Sequence, residues 1–212
     1  MIVIDLRTIL PGKFVYALTA MLLSLVCSVC AQEGFSSKLY FPGGIGINLP
    51  FGNPQESLKN GTMLSTAIEF RPKNGNAVFF RFNYDALNNH YQQVLVNSPT
   101  NVNTGKLSSA VFSLGMGYRR QTGPVRMFGL LQPGIAANHY DKVVDNGGVI
   151  TINQVSKTHA SIKITGGVEY YLAEHFALVA EPSYFYLSPS GGYKLLNPQS
   201  FNFSIGFTTT LF

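Results

Sequence analysis

The chain has 212 residues, of which 12% are charged and 13% aromatic, and its formal net charge is +5 at pH 7. The charged fraction is about half that of an ordinary soluble protein, and a hydrophobic content of 46% argues against disorder. The excess Lys and Arg are scattered along the sequence. A nucleic-acid-binding protein would cluster them, so we predict no nucleic-acid partner.

An uncharged apolar segment lies near the start of the chain, at residues 14–31. It has the length of the hydrophobic region of a secretory signal peptide, and Val29 and Ala31 supply the small residues that precede a cleavage site. A transmembrane anchor is the alternative, since the segment nearly reaches the about 18 apolar residues of a spanning helix. No positive cluster follows, which favours export. We predict a signal peptide over residues 1–31 and one domain over residues 32–212.

Apolar and polar residues alternate over eight later segments, which is the period of a β-strand with one apolar and one polar face. Several segments are longer than the about 5–6 residues of an average strand, and a tilted strand needs about 9–11 residues to cross a bilayer. The predicted strands are residues 38–49, 63–71, 77–85, 106–120, 125–140, 157–172, 176–187 and 200–212.

The alternation is clearest in the hairpin at residues 157–187. Ile164 and Val168 fall on its apolar parity, whereas Lys163 and Glu169 fall on the opposite one. We therefore expect the first two side chains to face lipid and the last two to face the interior of a barrel.

The facing of residues 125–140 is ambiguous. Phe128 and Leu130 share a phase with Arg126 and Gln132, so neither parity is clearly apolar. The alternation alone leaves open which face of this strand turns inward.

The connections between the predicted strands alternate in length, at roughly 12, 5, 20, 4, 16, 3 and 12 residues. The two longest are the polar stretches at residues 86–105 and 141–156. An up-and-down membrane barrel has short turns on one side and long loops on the other, and an even number of strands places both termini on the short-turn side. A barrel is required if these strands lie in a membrane, because closure alone satisfies their backbone groups there.

The hairpin GGVEYYLAEHFALVAEPSYFY and the last predicted strand, FNFSIGFTTTLF, resemble those of the small outer-membrane barrels of the OmpA/OmpX shape. More narrowly, the chain resembles the PorT-like outer-membrane β-barrel domain family over residues 32–212. The resemblance implies an all-β, eight-stranded antiparallel up-and-down transmembrane β-barrel, preceded by a signal peptide, in the outer membrane of a Gram-negative bacterium. Phe212 resembles the terminal residue that the barrel-assembly machinery recognises, which implies that machinery as a partner during biogenesis.

The interior of an eight-stranded barrel is just wide enough to be filled by side chains. Such a lumen could hold a proton or ion path, or a polar core whose charges pair because a buried unpaired charge is costly. We favour the paired core. The charges predicted to face inward are Glu69, Arg71, Arg81, Arg119, Lys163, Glu169 and Glu181.

Candidate chemistry is sparse. His139 and His159 flank the second long polar stretch, and either of them could form a hydrolase triad with Asp141 and Ser161 at the rim of the barrel. Their spacing does not support a triad, and the histidines lack the spacing of a zinc site. The Gly-Gly-Ile-Gly of residues 43–46 lacks the Lys-Ser/Thr of a phosphate-binding loop. We therefore predict no catalytic residue, no cofactor-binding residue and no metal ligand.

The functional expectation is a monomeric, non-enzymatic outer-membrane barrel in contact with lipid, with a structural or surface-interaction role through its long loops. Residues 86–105 include His90 and Tyr91 among polar neighbours, which suits contact with a surface partner or a polysaccharide. The alternatives are a barrel hydrolase active at the rim and a soluble secreted β-barrel that binds a small apolar ligand.

Overall fold

A computed structural model of the chain describes residues 38–51, 57–72, 77–94, 102–146, 149–188 and 199–210. The predicted signal peptide and Phe212 lie outside these residues. Among these residues, no helix is both long enough and apolar enough to span a membrane.

The described residues form nine antiparallel strands in one sheet, with the order β2-β4-β3-β1-β9-β8-β7-β6-β5. An additional pairing between β4 and β5 closes the sheet. The strands are β1 Leu39–Phe51, β2 Ser57–Leu58, β3 Gly61–Phe70, β4 Ala77–Val94, β5 Val102–Thr122, β6 Val125–Asn146, β7 Val149–Ala173, β8 Phe176–Leu187 and β9 Gln199–Thr210. The two-residue β2 extends the line of β3 along β4, because Leu58 lies opposite Tyr91 and Thr62 opposite Asn88. The predicted eight-stranded closed antiparallel barrel is therefore confirmed.

The two ends of the barrel differ. The β5–β6 turn, residues 123–124, and the β7–β8 turn, residues 174–175, lie at one end, which we call the short-turn mouth. Gly123 has a φ of 59°, the left-handed conformation that tight hairpin turns demand and that glycine adopts without steric cost. The β4–β5 and β6–β7 connections lie at the opposite end, the long-hairpin mouth.

The strands continue well beyond their predicted ends at the long-hairpin mouth. Most of residues 86–105, predicted to be a loop, belongs to β4 and β5. Residues 141–156, also predicted to be a loop, belong almost entirely to β6 and β7, which are joined through residues 147–148. The predicted lengths of these two connections were therefore wrong. Ladder hydrogen bonds continue where both faces of the sheet carry polar residues, and there the apolar alternation that signals a strand disappears.

The predicted faces of the central strands are confirmed. Ile164 is 52% exposed on the outside of the barrel, and Val168 is exposed beside it, whereas Lys163 and Glu169 are buried inside. Similar exposed apolar residues surround the barrel on other strands, forming a band that includes Ile45, Leu64, Ile68, Phe80, Leu114, Met116, Leu131, Leu178, Phe203 and Ile205. An exposed apolar band on strands of this length is the lipid-facing surface of a membrane barrel, which rules out the soluble ligand-binding alternative.

The structure also establishes the facing of β6. Phe128, Leu130 and Gln132 are buried in the lumen. Phe128 packs edge-on against Phe79, with their ring centroids 5.8 Å apart. Gly167 leaves room for this ring, because a Cβ atom at that position would overlap it. The lumen thus holds aromatic rings as well as charges. The inward-facing residues of β6 are therefore a mixture of apolar and polar residues.

The apolar band predicts how substitutions depend on depth. Ile164→Arg should destabilise the barrel in a bilayer by about 2–4 kcal/mol, which is the cost of placing a cation at the lipid midplane. Thr158→Arg is the matched control, since Thr158 is exposed on the outward face of the same strand, roughly 20 Å nearer the long-hairpin mouth. Denaturant titration of both variants in lipid vesicles measures the difference, and equal costs would contradict the assigned position of the band.

Candidate functional site

A network of ion pairs occupies the lumen, centred on Glu69. This carboxylate is completely buried and accepts hydrogen bonds from three guanidinium groups. Its Oε1 atom pairs with Arg71 Nε and lies 2.6 Å from Arg119 Nη2, and its Oε2 atom lies 2.6 Å from Arg81 Nε. One carboxylate therefore holds side chains from three neighbouring segments of the barrel wall.

Two further ion pairs cross the lumen. Arg81 Nη1 lies 2.6 Å from Glu181 Oε1, and the strands that carry them, β4 and β8, are four positions apart in either direction around the barrel. Arg71 Nη2 lies 2.6 Å from Glu169 Oε1, which again joins opposite walls. Side chains that span the diameter occlude the lumen at this level.

A separate pair lies nearer the long-hairpin mouth. Lys163 Nζ is 2.7 Å from Asp85 Oδ2, and Ser65 Oγ donates to Asp85 Oδ1 over 2.5 Å. Asp85 was not among the predicted lumen charges, although it shares the parity of Arg81. The seven predicted inward charges are confirmed as buried: Glu69, Arg71, Arg81, Arg119, Lys163, Glu169 and Glu181.

Aromatic rings fill the space around the guanidinium groups. The Arg81 guanidinium lies 4.7 Å from the Phe128 ring centroid, and that of Arg119 lies 4.8 Å from the Phe79 centroid. A cavity beside Asn83 and Glu181 has a volume of only about 10 Å³, near the lower limit for one water molecule. The described lumen is thus a packed core in which acidic and basic side chains pair, as predicted from the sequence.

The long-hairpin mouth contains an apolar cluster. Tyr91, Leu107 and Tyr140 are buried against one another, and the Tyr91 hydroxyl donates to the backbone oxygen of Asp141. Burial raises the pKa of the Tyr91 phenol, and the nearby Asp141 carboxylate raises it further, so Tyr91 stays a neutral donor. The expectation that Tyr91 faces a partner was therefore wrong: it is 2% exposed, whereas His90 is exposed on the outer surface.

The β6–β7 hairpin projects beyond its neighbours. On the β5 side the pairing ends at Leu107 and Tyr140, and on the β8 side it ends at Ser161 and Leu187. Within the described ranges, residues 141–146 and 149–154 form ladder pairs only with each other. The projecting part of the hairpin is up to about 20 Å long.

The residues of the conceivable rim triad are not assembled. His139 and Asp141 are exposed on the outward face of β6, whereas His159 and Ser161 are buried on the inward face of β7. His159 Nδ1 lies 3.1 Å from the backbone oxygen of Ser188. No group of three or more His, Cys, Asp or Glu residues suited to holding a metal ion occurs in the part of the chain that the structure describes.

Solved structures with the same architecture include Neisserial surface protein A, with a TM-score of 0.50 and 19% identity, covering 82% of this chain and 97% of the other. OprG from Pseudomonas aeruginosa has a TM-score of 0.49 and 10% identity, covering 81% and 94%. Ail, the attachment invasion locus protein of Yersinia pestis, solved with the heparin analogue sucrose octasulfate, has a TM-score of 0.48 and 13% identity, covering 81% and 98%. At these identities the likeness concerns the fold alone.

Sequence comparison gives the family. No curated protein matches the chain, but the profile of the outer membrane protein beta-barrel domain matches residues 18–208. That span includes nearly every strand of the closed barrel and its apolar band. The chain belongs to the outer membrane protein beta-barrel domain family and is a β-barrel of the bacterial outer membrane.

Proposed function

We propose that this chain is a non-enzymatic surface protein whose β6–β7 hairpin contacts a partner outside the cell. The projection of this hairpin beyond the neighbouring strands is the observation that carries the proposal. Rigid strands that hold an exposed segment above a scaffold are the usual platform for recognition. In barrels of this class the short turns lie on the periplasmic side, which places the long-hairpin mouth outside the cell.

The surface of the hairpin favours a protein partner. Val149 and Ile152 are 66% and 68% exposed, although they lie well beyond the lipid-facing band. Solvent-exposed apolar side chains at a projecting tip gain free energy when a partner removes them from water. Residues 86–94 and 102–105 are less suited to this role than their polarity predicted, since Tyr91 is turned into the mouth.

Several expectations from the sequence complete the proposal. Residues 1–31 act as a signal peptide that is removed on export, the barrel-assembly machinery inserts the domain, and the barrel is a monomer in contact with lipid. Within the family we place the chain in the PorT-like group, on the resemblance of its 157–187 hairpin and of its last strand. A packed lumen with paired charges supports a role that needs neither a wide pore nor catalysis.

Shortening the hairpin tests this function. Replacing residues 142–153 with an Asn-Gly turn should leave the barrel folded, because the Asp141–Gln154 pair and all pairs below it remain. Attachment of intact cells to protein-coated surfaces should be lost, and a Val149→Ser/Ile152→Ser variant should lose most of it. The matched control is Ile135→Ser, which removes an exposed apolar residue on the lipid-facing band instead.

Gel mobility before and after heating verifies that each variant is folded. A separate experiment tests the orientation of the barrel: an epitope tag after Asn146 should be labelled on intact cells, whereas a tag at Gly123 should be labelled only after permeabilisation. If the shortened protein supports attachment as well as the full chain does, the hairpin is not the binding surface. Labelling of the Gly123 tag alone would invert the proposed orientation.

A further inference from the structure

One inward-facing cation at the short-turn mouth, Arg126, differs from the other lumen cations in its partners. Arg71, Arg81, Arg119 and Lys163 each form an ion pair with a carboxylate. Arg126 forms none with any residue that the structure describes, although Glu169 is its opposite neighbour across the β6–β7 ladder. The Glu169 carboxylate is directed instead to Arg71. The charge of Arg126 is therefore not offset by direct contact with a carboxylate of the described residues.

Tyr171 holds the Arg126 side chain in place. The guanidinium lies 3.8 Å above the Tyr171 ring centroid, and its Nη1 atom donates to the Tyr171 hydroxyl over 2.9 Å. The same hydroxyl accepts from Arg71 Nη1 at 2.5 Å and approaches Glu169 Oε2 at 3.2 Å, so its bonding capacity is fully used. The Arg126 Nε atom is buried and has no hydrogen-bond partner in the described part of the chain. A stacked guanidinium with spare donors is preorganised for an oxyanion.

A pocket of about 270 Å³ opens in front of this group, between the β5–β6 and β7–β8 turns. Gln121 supplies a polar wall and Leu172 an apolar one. Leu172 is 57% exposed and is the last apolar residue on the outward parity of β7. The pocket therefore places a cation without a salt bridge beside the edge of the lipid-facing band at the short-turn mouth. This combination fits a phosphate group attached to acyl chains.

The charge of the pocket narrows the choice of anion. Glu174, which is exposed, also lines the pocket and is a carboxylate near Arg126. A single guanidinium with a carboxylate nearby favours a singly charged anion over a dianion, because one cation does not offset the larger desolvation cost of a dianion. A lipid phosphodiester carries one negative charge, whereas a phosphate monoester carries about 1.5 to 2 at pH 7 because its second pKa is near 6. We propose that the Arg126 pocket binds the phosphodiester of a phospholipid headgroup from the leaflet at the short-turn mouth.

Native mass spectrometry of the full chain purified from outer membranes tests the proposal. The wild type should retain one dioleoyl phosphatidylglycerol molecule and no dioleoylglycerol, which has the same chains without the phosphate. Arg126→Gln should lower this occupancy about tenfold, the effect of losing a charge-assisted hydrogen bond. Arg126→Lys should lower it less, because Lys keeps the charge without the planar donor set. Arg120→Gln is the matched control, since Arg120 is exposed on the outward face of the same mouth.

The folded state of each variant is verified by heat-dependent gel mobility, and Arg126→Lys keeps the test decisive if Arg126→Gln does not fold. Equal retention of phosphatidylglycerol by the wild type and by a folded Arg126 variant would overturn the site, as would an equal loss in Arg120→Gln. Displacement of the lipid by millimolar inorganic phosphate would overturn the lipid assignment, because the pocket would then be a site for the free anion.

Discussion

Glu69→Gln is expected to destabilise the barrel by about 3–5 kcal/mol or more, the cost of removing one partner of a buried ion pair. Glu69 is completely buried and pairs with Arg71, Arg81 and Arg119. The glutamine amide matches the shape of the carboxylate, but it removes the negative charge that offsets three guanidinium groups. The midpoint of denaturant unfolding in lipid vesicles, followed by heat-dependent gel mobility, measures the loss.

Glu174→Gln is the control for this change, because it removes the same charge from an exposed turn at the short-turn mouth. Surface substitutions of this kind stay within about 0.5 kcal/mol. Similar unfolding midpoints for Glu69→Gln and Glu174→Gln would show that the Glu69 ion pairs contribute little to stability.

The second large effect concerns the pair between Lys163 and Asp85. Lys163→Met and Asp85→Asn should each cost about 3–5 kcal/mol, since each leaves the other charge buried without its partner. The 2.7 Å pair is isolated from the Glu69 network, because no other salt bridge to either group occurs among the described residues. The double variant should therefore be no less stable than the less stable of the two single variants. The coupling energy should then be at least the smaller single cost, about 3 kcal/mol, which is the upper end of the range for residues in contact. Costs that simply add would mean that the two charges do not interact.

The membrane-crossing part of the fold was predictable because lipid imposes a strict alternation on it. Ile164 and Val168 must face hydrocarbon, and Lys163 and Glu169 cannot, so the parity of the sequence specifies the facing of the strand. The same reasoning placed seven charges in the lumen, all of which are buried there.

The long-hairpin end was less predictable, because the constraint that lipid imposes ends there. Asn88 and His90 carry polar side chains on the outward face of β4, although the ladder with β5 continues through both positions. With water on that face, sequence polarity cannot distinguish a hydrogen-bonded strand from a loop. The inward position of Tyr91 follows from its parity on a longer β4, but it could be inferred only once that strand was known to continue.

The lumen pairing could not be read from the sequence for a different reason. Parity places Arg81 and Asp85 on the same face of β4, but the carboxylate or cation that each reaches depends on strand order around the barrel. The alternation did not predict the Arg126 pocket, because Phe128 and Leu130 share the phase of Arg126 and left the facing of β6 ambiguous.

The ion pairs that cross the lumen bear on how the barrel inserts. Arg71 and Arg81 come early in the chain, whereas their partners Glu169 and Glu181 come 98 and 100 residues later. In a sheet that has entered the bilayer without β7 and β8, the single carboxylate of Glu69 would have to offset Arg71, Arg81 and Arg119. The excess positive charge in the interior would cost several kcal/mol. Closure of the cylinder and neutralisation of its interior must therefore occur together. Incomplete sheets are penalised in the membrane, and insertion is expected to be a single cooperative event rather than a hairpin-by-hairpin accumulation.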